Sequence, residues 1–206
     1  MNVPNRAPTI TTASRPPADR HRAGQALVEF AAVLLPALLI IVGIIQLGLI
    51  FGANVTLTNA ARESGRAATV QPFDNSRSRS VNDLDRCTAA LDAARQSFGL
   101  MTAASPHFVA TRPCPSGSAS DLNGDALHDR WVNGDITITL CESMASPSAP
   151  CPTTGTYCAT TDPAGCLVQV TLTYRSDIIV PLIGGILTTD AGGRFVQRAS
   201  ATMVIN

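Results

Sequence analysis

The chain has 206 residues, of which 45% are hydrophobic, 4% aromatic and 15% charged, and its 15 basic residues balance 15 acidic ones. Every basic residue is arginine, which excludes a lysine phosphate loop and a lysine Schiff base; the zero formal charge argues against any nucleic-acid partner. A chain of this length supports one modest core with accessories, not two full cores.

Residues 1–23 are rich in Pro, Thr, Ala and Arg without an apolar period, and read as a disordered arm. From Phe30 to Ala53 only Gln46 is strongly polar. As a helix this run covers about 36 Å at roughly 1.5 Å per residue, enough for a hydrocarbon core of about 30 Å. A buried core helix would be shorter and would carry a polar face. Arg6, Arg15, Arg20 and Arg22 stand ahead of it against one acid, Asp19, so the positive-inside rule puts the arm in the cytoplasm and residues 54–206 outside. A cleaved secretory signal would be shorter and end at a small-x-small site, whereas this run ends Leu49-Ile50-Phe51-Gly52. Membrane lipid is therefore the first expected partner.

The stretch Gly24-Gln25-Ala26-Leu27-Val28-Glu29-Phe30 sets a carboxylate at the mouth of the apolar helix. Such a residue costs a few kcal/mol if inserted and usually has a task. Glycine, four residues, then Glu-Phe behind a basic leader resembles the processing site of Flp-type prepilins. That resemblance implies a prepilin peptidase cutting after Gly24, with Gln25 as the new N-terminus and Glu29 fifth. Further on, GQALVEFAAVLLPALLIIVGIIQLGLIF followed by LTNAARESGRAATV is similar to the TadE-like family of tight-adherence pilus assembly proteins. The likeness covers residues 24–70 well, and more weakly the C-terminal end from Val168. It implies a non-enzymatic pseudopilin or assembly component, single-pass in a bacterial cytoplasmic membrane. Its implied partners are other pilin and pseudopilin subunits and the pilus assembly platform. Phe30 follows the glutamate where major Flp subunits prefer Tyr, which fits the TadE-like pattern better. The α-amino group of a neighbouring subunit would supply the cation that Glu29 needs. Pro36 removes one helix hydrogen bond, and Gly48-x-x-x-Gly52 offers a flat face for a second helix. Ala61, Gly65 and Ala68 continue a small-residue face, while Arg62, Glu63 and Arg66 read as a solvated one.

Residues 71–81 read as a linker, and Ser80-x-x-Asp83 resembles an acidic capping box. Leu84, Cys87, Leu91, Ala94, Phe98 and Met101 then recur at helical spacing, with Gly99 near the stop. Strand patterns follow: a short Phe108–Ala110, then Ile136, Ile138 and Leu140 alternating with threonines. Val168, Val170, Leu172 and Tyr174 alternate next, and Phe195, Ala199, Ala201, Met203 and Ile205 share one face of a last strand. The expected fold is α+β: a long transmembrane helix, then a helix packed on a small antiparallel sheet with disulfide-rich loops. The expected organisation is a leader 1–24, a span 25–53, a membrane-proximal helix and linker 54–81, and an extracytoplasmic domain 82–206.

All six cysteines follow the apolar run: Cys87, Cys114, Cys141, Cys151, Cys158 and Cys166. Their spacings lack the close pairs of zinc sites, so disulfides are expected. Of fifteen pairings the nested one, Cys87–Cys114, Cys141–Cys166 and Cys151–Cys158, would tie down the long loop between two strands.

Asp121, Asn123, Asp125 and Asp129 occupy positions 1, 3, 5 and 9 of a calcium-type loop, with the Leu127 carbonyl at 7. Ala126 stands where that motif has Gly, and Val132 where it has Glu; Asp135 is the residue that would compensate. A polar loop with turns at Asn123-Gly124 and Asn133-Gly134 explains the same residue types. If a cofactor exists it is a structural calcium ion. His21 lies on the arm, and His107 and His128 lack a nucleophile motif, so no catalysis is expected. The apolar run Ile178–Ile183 with Ile186-Leu187 reads as tucked under the sheet, or else as a patch for a neighbouring subunit. An uncleaved membrane-tethered binding or adhesion domain, stabilised by calcium, is the alternative to the pseudopilin reading; an envelope hydrolase comes last.

Overall fold

In the computed structural model, residues 20–142, 151, 157–158, 162–179 and 189–205 are described. The chain divides into two units, residues 1–42 and 43–206. The leader up to residue 19, most of the loop 143–161 and the apolar run 180–188 lie outside the described residues.

Helix α1 runs Arg20–Val70, through Pro36 and past Asn54 without interruption. It begins four residues before Gly24, inside the stretch expected to be disordered, and the span and membrane-proximal helix are one element. Leu-, Ile- and Ala-rich composition with no second proline explains the length.

In the first unit the side chains of residues 24–42 are exposed apart from Ala31 and Val42, which are half-buried, and no polar face develops. Leu27 is 69% and Phe30 65% exposed. Among the described residues α1 is the helix long and apolar enough to cross a membrane.

In the second unit the remainder of α1 packs on a second helix and a sheet. Helix α2 runs Arg79–Ser97 with Ser78 at its N-cap, whose side chain makes no cap bond. The expected capping box is thus displaced: Ser80 and Asp83 lie inside the helix, and the linker stops short of Arg79. Arg77, Arg79 and Arg86 draw the Asp residues of this region into ion pairs, so Asp83 points inward instead of back to the helix end. Gly99, at φ +57°, follows the helix stop in the left-handed conformation that favours glycine.

Five antiparallel strands follow in sequential order: β1 Ala119–Ser120, β2 Arg130–Asn133, β3 Ile136–Cys141, β4 Leu167–Ser176 and β5 Phe195–Val204. Phe108–Ala110 is not a strand; Phe108 instead sits in the core against Phe98, ring centroids 4.9 Å apart. The β2–β3 turn uses Gly134 at φ +63°, where any Cβ would collide with the Val109 carbonyl. One sheet face carries Trp131, Ile136, Ile138, Leu140, Val168, Val170 and Leu172 into the core. Leu57, Ala60, Ala61 and Ala68 from α1 and Cys87, Ala90, Leu91 and Ala94 from α2 close it. The small-residue face of α1 is therefore spent inside the chain: Ser64 donates to the Ala90 carbonyl at 2.6 Å, and Gly65 faces the Met203 side chain. Arg62, Glu63 and Arg66 are exposed.

The disulfides are Cys87–Cys114, Cys141–Cys151 and Cys158–Cys166, each with Cα atoms 6.0 Å apart. The nested pairing of the last four cysteines is corrected by the pleat of the sheet. Cys141 pairs in register with Leu167, so its side chain shares the outer face with Gln169, while Cys166 and Cys158 join the core cluster on the other face. Cys151 lies on the outer side, its N–H donating to the Gln169 side chain at 3.1 Å.

Candidate functional site

The residues singled out at the start of α1 lie on an exposed helical turn. Gly24, Gln25, Glu29 and Phe30 are all exposed, and Gln25 Nε2 donates to Glu29 Oε1 at 3.0 Å across one turn. Pro36 lies on the same exposed stretch.

Gln46 explains why one polar residue sits in the apolar run. It is 1% exposed; its Oε1 accepts the Ile179 N–H at 2.7 Å and its Nε2 donates to the Asp177 carbonyl at 3.2 Å. One turn on, Gln197 of β5 donates from Nε2 to the Ile50 carbonyl at 2.8 Å. Two buried glutamines thus bind α1 to the backbone after β4 and to β5. Gln46 is visible in sequence as the exception to an apolar run, but its partners are more than a hundred residues away. Among the described residues, Gly48 and Gly52 face open space: a Cβ at either would meet nothing within 4 Å.

A buried ion-pair chain fastens the other end of α1. Asp83 bridges Arg79 and Arg86, and all three side chains are about 2% exposed or less. Arg86 Nε donates to the Ala68 carbonyl at 2.9 Å, satisfying one of the orphan carbonyls at the end of α1. Arg79 Nη1 donates to the Cys158 carbonyl at 2.6 Å. Burial pushes the Asp83 carboxyl up and the Arg86 guanidinium down, and in each case the opposite charge of the partner resists the shift.

The loop between β1 and β2 holds Asp121, Asn123, Asp125 and Asp129. Asp121 accepts the N–H groups of Asn123, Gly124 and Ala126; Asn123 accepts that of Asp125, and Asp125 that of Leu127. The Gly124 N–H contributes most to holding the Asp121 carboxyl below the usual range. Asp129 is 0% exposed; Oδ2 accepts the Leu122 N–H at 2.8 Å, and Oδ1 has no hydrogen-bond partner. Burial, then the charges of Asp125 and Asp121, push its carboxyl up. Among the described residues no three His, Cys, Asp or Glu side chains converge as a ready-made metal cage. Asp135, expected as the compensating ligand, is engaged elsewhere: its carboxylate accepts the Val109 N–H and pairs with Arg175. His107 lies against the Arg175 carbonyl, Nδ1 at 2.9 Å, and stacks on Tyr174, while His128 meets Trp131 edge-on.

No curated protein and no solved structure matches this chain. A family model does match, and the matched residues lie wholly within α1. Residues 24–66 fit the model of the TadE-like protein family, so this stretch of α1 is similar to that family.

Proposed function

We propose that the chain is a TadE-like pseudopilin or assembly component of a tight-adherence pilus system, non-enzymatic, and cut after Gly24 by a prepilin peptidase. The observation that carries this reading is the TadE-like match on α1, which begins at Gly24 and takes in the exposed, all-apolar residues 32–41. Cleavage there leaves Gln25 first and Glu29 fifth. Glu29 then meets the free α-amino group of a neighbouring subunit, and that pair offsets the cost of a carboxylate near lipid.

Gln46 supports a boundary for the span. A side chain whose amide is bonded to the backbone of residues 177 and 179 belongs to the folded unit. Residues 24–45 remain for the lipid, about 33 Å of helix at roughly 1.5 Å per residue. The N-terminus is cytoplasmic and the disulfide-tied unit lies outside, where an oxidising compartment keeps the bridges formed. Gly48 and Gly52 are then a face for an adjacent pilin or platform helix.

The test is the intact mass of the chain from a native membrane fraction, allowing for methylation or cyclisation at Gln25. A chain beginning at Gln25 supports the processed pseudopilin; a chain that retains Arg20–Gly24 removes it and leaves an uncleaved tethered domain.

A further inference from the structure

We propose that the β1–β2 loop binds one calcium ion through the side-chain oxygens of Asp121, Asn123, Asp125 and Asp129 and the main-chain carbonyl of Leu127. This is independent of the pilus reading and stands on a different part of the chain. The spacing alone is an acidic cluster. What points to an ion is Asp129: fully buried, with Oδ1 bonded to nothing. A buried carboxylate oxygen without a donor costs several kcal/mol unless a cation supplies the missing charge. Its nearest loop companions make matters worse, since Asp121 and Asp125 carry the same sign. Arg79 acts on it from α2, but that guanidinium is already bonded to Asp83 and to the Cys158 carbonyl.

The hairpin accounts for both departures from the twelve-residue motif. The Asp129 N–H donates to the Ser120 carbonyl at 2.9 Å, and its own carbonyl accepts the Leu140 N–H at 2.8 Å. The loop therefore closes at position nine, on an acid held in place by the sheet. Position twelve, Val132, already lies in β2 with its side chain turned out, 49% exposed, where no ligand is needed. Ala126 replaces the usual glycine yet adopts φ 65°, the left-handed turn that the sixth position requires. Asp121, Asn123 and Asp125 are exposed, and their oxygens, each accepting loop N–H groups, keep further lone pairs for an ion beside the fixed Asp129, with water completing a shell of six to eight oxygens.

The experiment is calorimetric titration of the full, disulfide-intact chain in nanodiscs with calcium chloride, repeated with magnesium chloride, alongside the thermal midpoint. The expected result is one saturable calcium site with a Kd of roughly 0.1–1 mM, the range of extracellular modules, and a midpoint that rises with calcium by mass action. Asp125→Ala weakens binding at least tenfold, and so does Asp125→Asn, which keeps an oxygen for the Leu127 N–H but loses the charge. Ala126→Gly binds at least as tightly as the natural chain, because it relieves the left-handed alanine. Absence of saturable heat together with an unmoved midpoint overturns the proposal. So does binding that Asp125→Ala leaves unchanged, which would put the ion elsewhere, or equal affinity for magnesium, which would mean a non-selective charge cluster.

Discussion

Two stretches of the same helix meet opposite surroundings. Residues 30–42 of α1 are apolar on every side and exposed apart from Ala31 and Val42, which are half-buried. Residues 43–70 bury Gln46, Ile50, Leu57, Ala60, Ala61, Ser64, Gly65 and Ala68 at helical spacing, and send charges out on the other side. Backbone hydrogen bonds are the same in both; the solvent each stretch is written for is not. An all-round apolar helix is stable only in lipid or against other helices, whereas a one-sided helix is stable on its own core. Gln46 stands where one pattern gives way to the other.

The comparison is tested most severely at the far end of the packed stretch. Asp83→Ala leaves Arg79 and Arg86 buried without their shared carboxylate, and the expected loss is about 3–5 kcal/mol, read by denaturant unfolding of the chain in nanodiscs. A loss below about 1 kcal/mol would mean that water reaches this cluster. Next comes the Cys87–Cys114 bridge, which ties α2 to the segment ahead of β1 across a separation of 27 residues. Replacing both cysteines by serine is expected to cost about 3 kcal/mol in the same measurement. The Cys158–Cys166 bridge, with a separation of 8, is expected to contribute less.

Gln46→Leu removes both partners of the 177–179 backbone. It is expected to cost about 1–3 kcal/mol and to speed hydrogen exchange of the Ile179 amide. Ile40→Leu, in the exposed apolar stretch, should change neither by more than about 0.5 kcal/mol. If the two substitutions behave alike, the division of α1 at Gln46 is wrong. The smallest effect separates folding from assembly. Gly52→Ala meets nothing within 4 Å among the described residues, so its helix propensity should raise stability by up to about 1 kcal/mol. If a second helix packs on Gly48 and Gly52 as proposed, the same methyl obstructs it, and crosslinked oligomers in native membranes should decline while the isolated chain becomes firmer.

Periodicity made most of this architecture readable before any coordinates. The apolar run, the stripe from Cys87 to Phe98, and the alternation in β3, β4 and β5 each follow from burying one face of one element. The short strands escaped that logic. β2 is four residues, Arg130 to Asn133, and only its pairing with β3 makes it a strand. Asp83 looked like a capping residue because local spacing cannot reveal that two arginines on its own helix claim it. The cysteine pairing was misread because loop closure was considered and strand parity was not; Cys141 and Cys166 point to opposite faces of one sheet. In the calcium-type loop the motif was visible, but burial of Asp129 is a property of the hairpin, not of the spacing.

The division of α1 is tested most directly by depth. A fluorescent amino acid placed in turn at Ile40, Ile44, Phe51 and Val55, all exposed on α1, reports lipid contact through quenching by brominated acyl chains in nanodiscs. The account predicts strong quenching at 40, quenching confined to shallow bromines at 44, and none at 55. Equal quenching at 40 and 55 would put the whole apolar run in the bilayer and contradict the role assigned to Gln46.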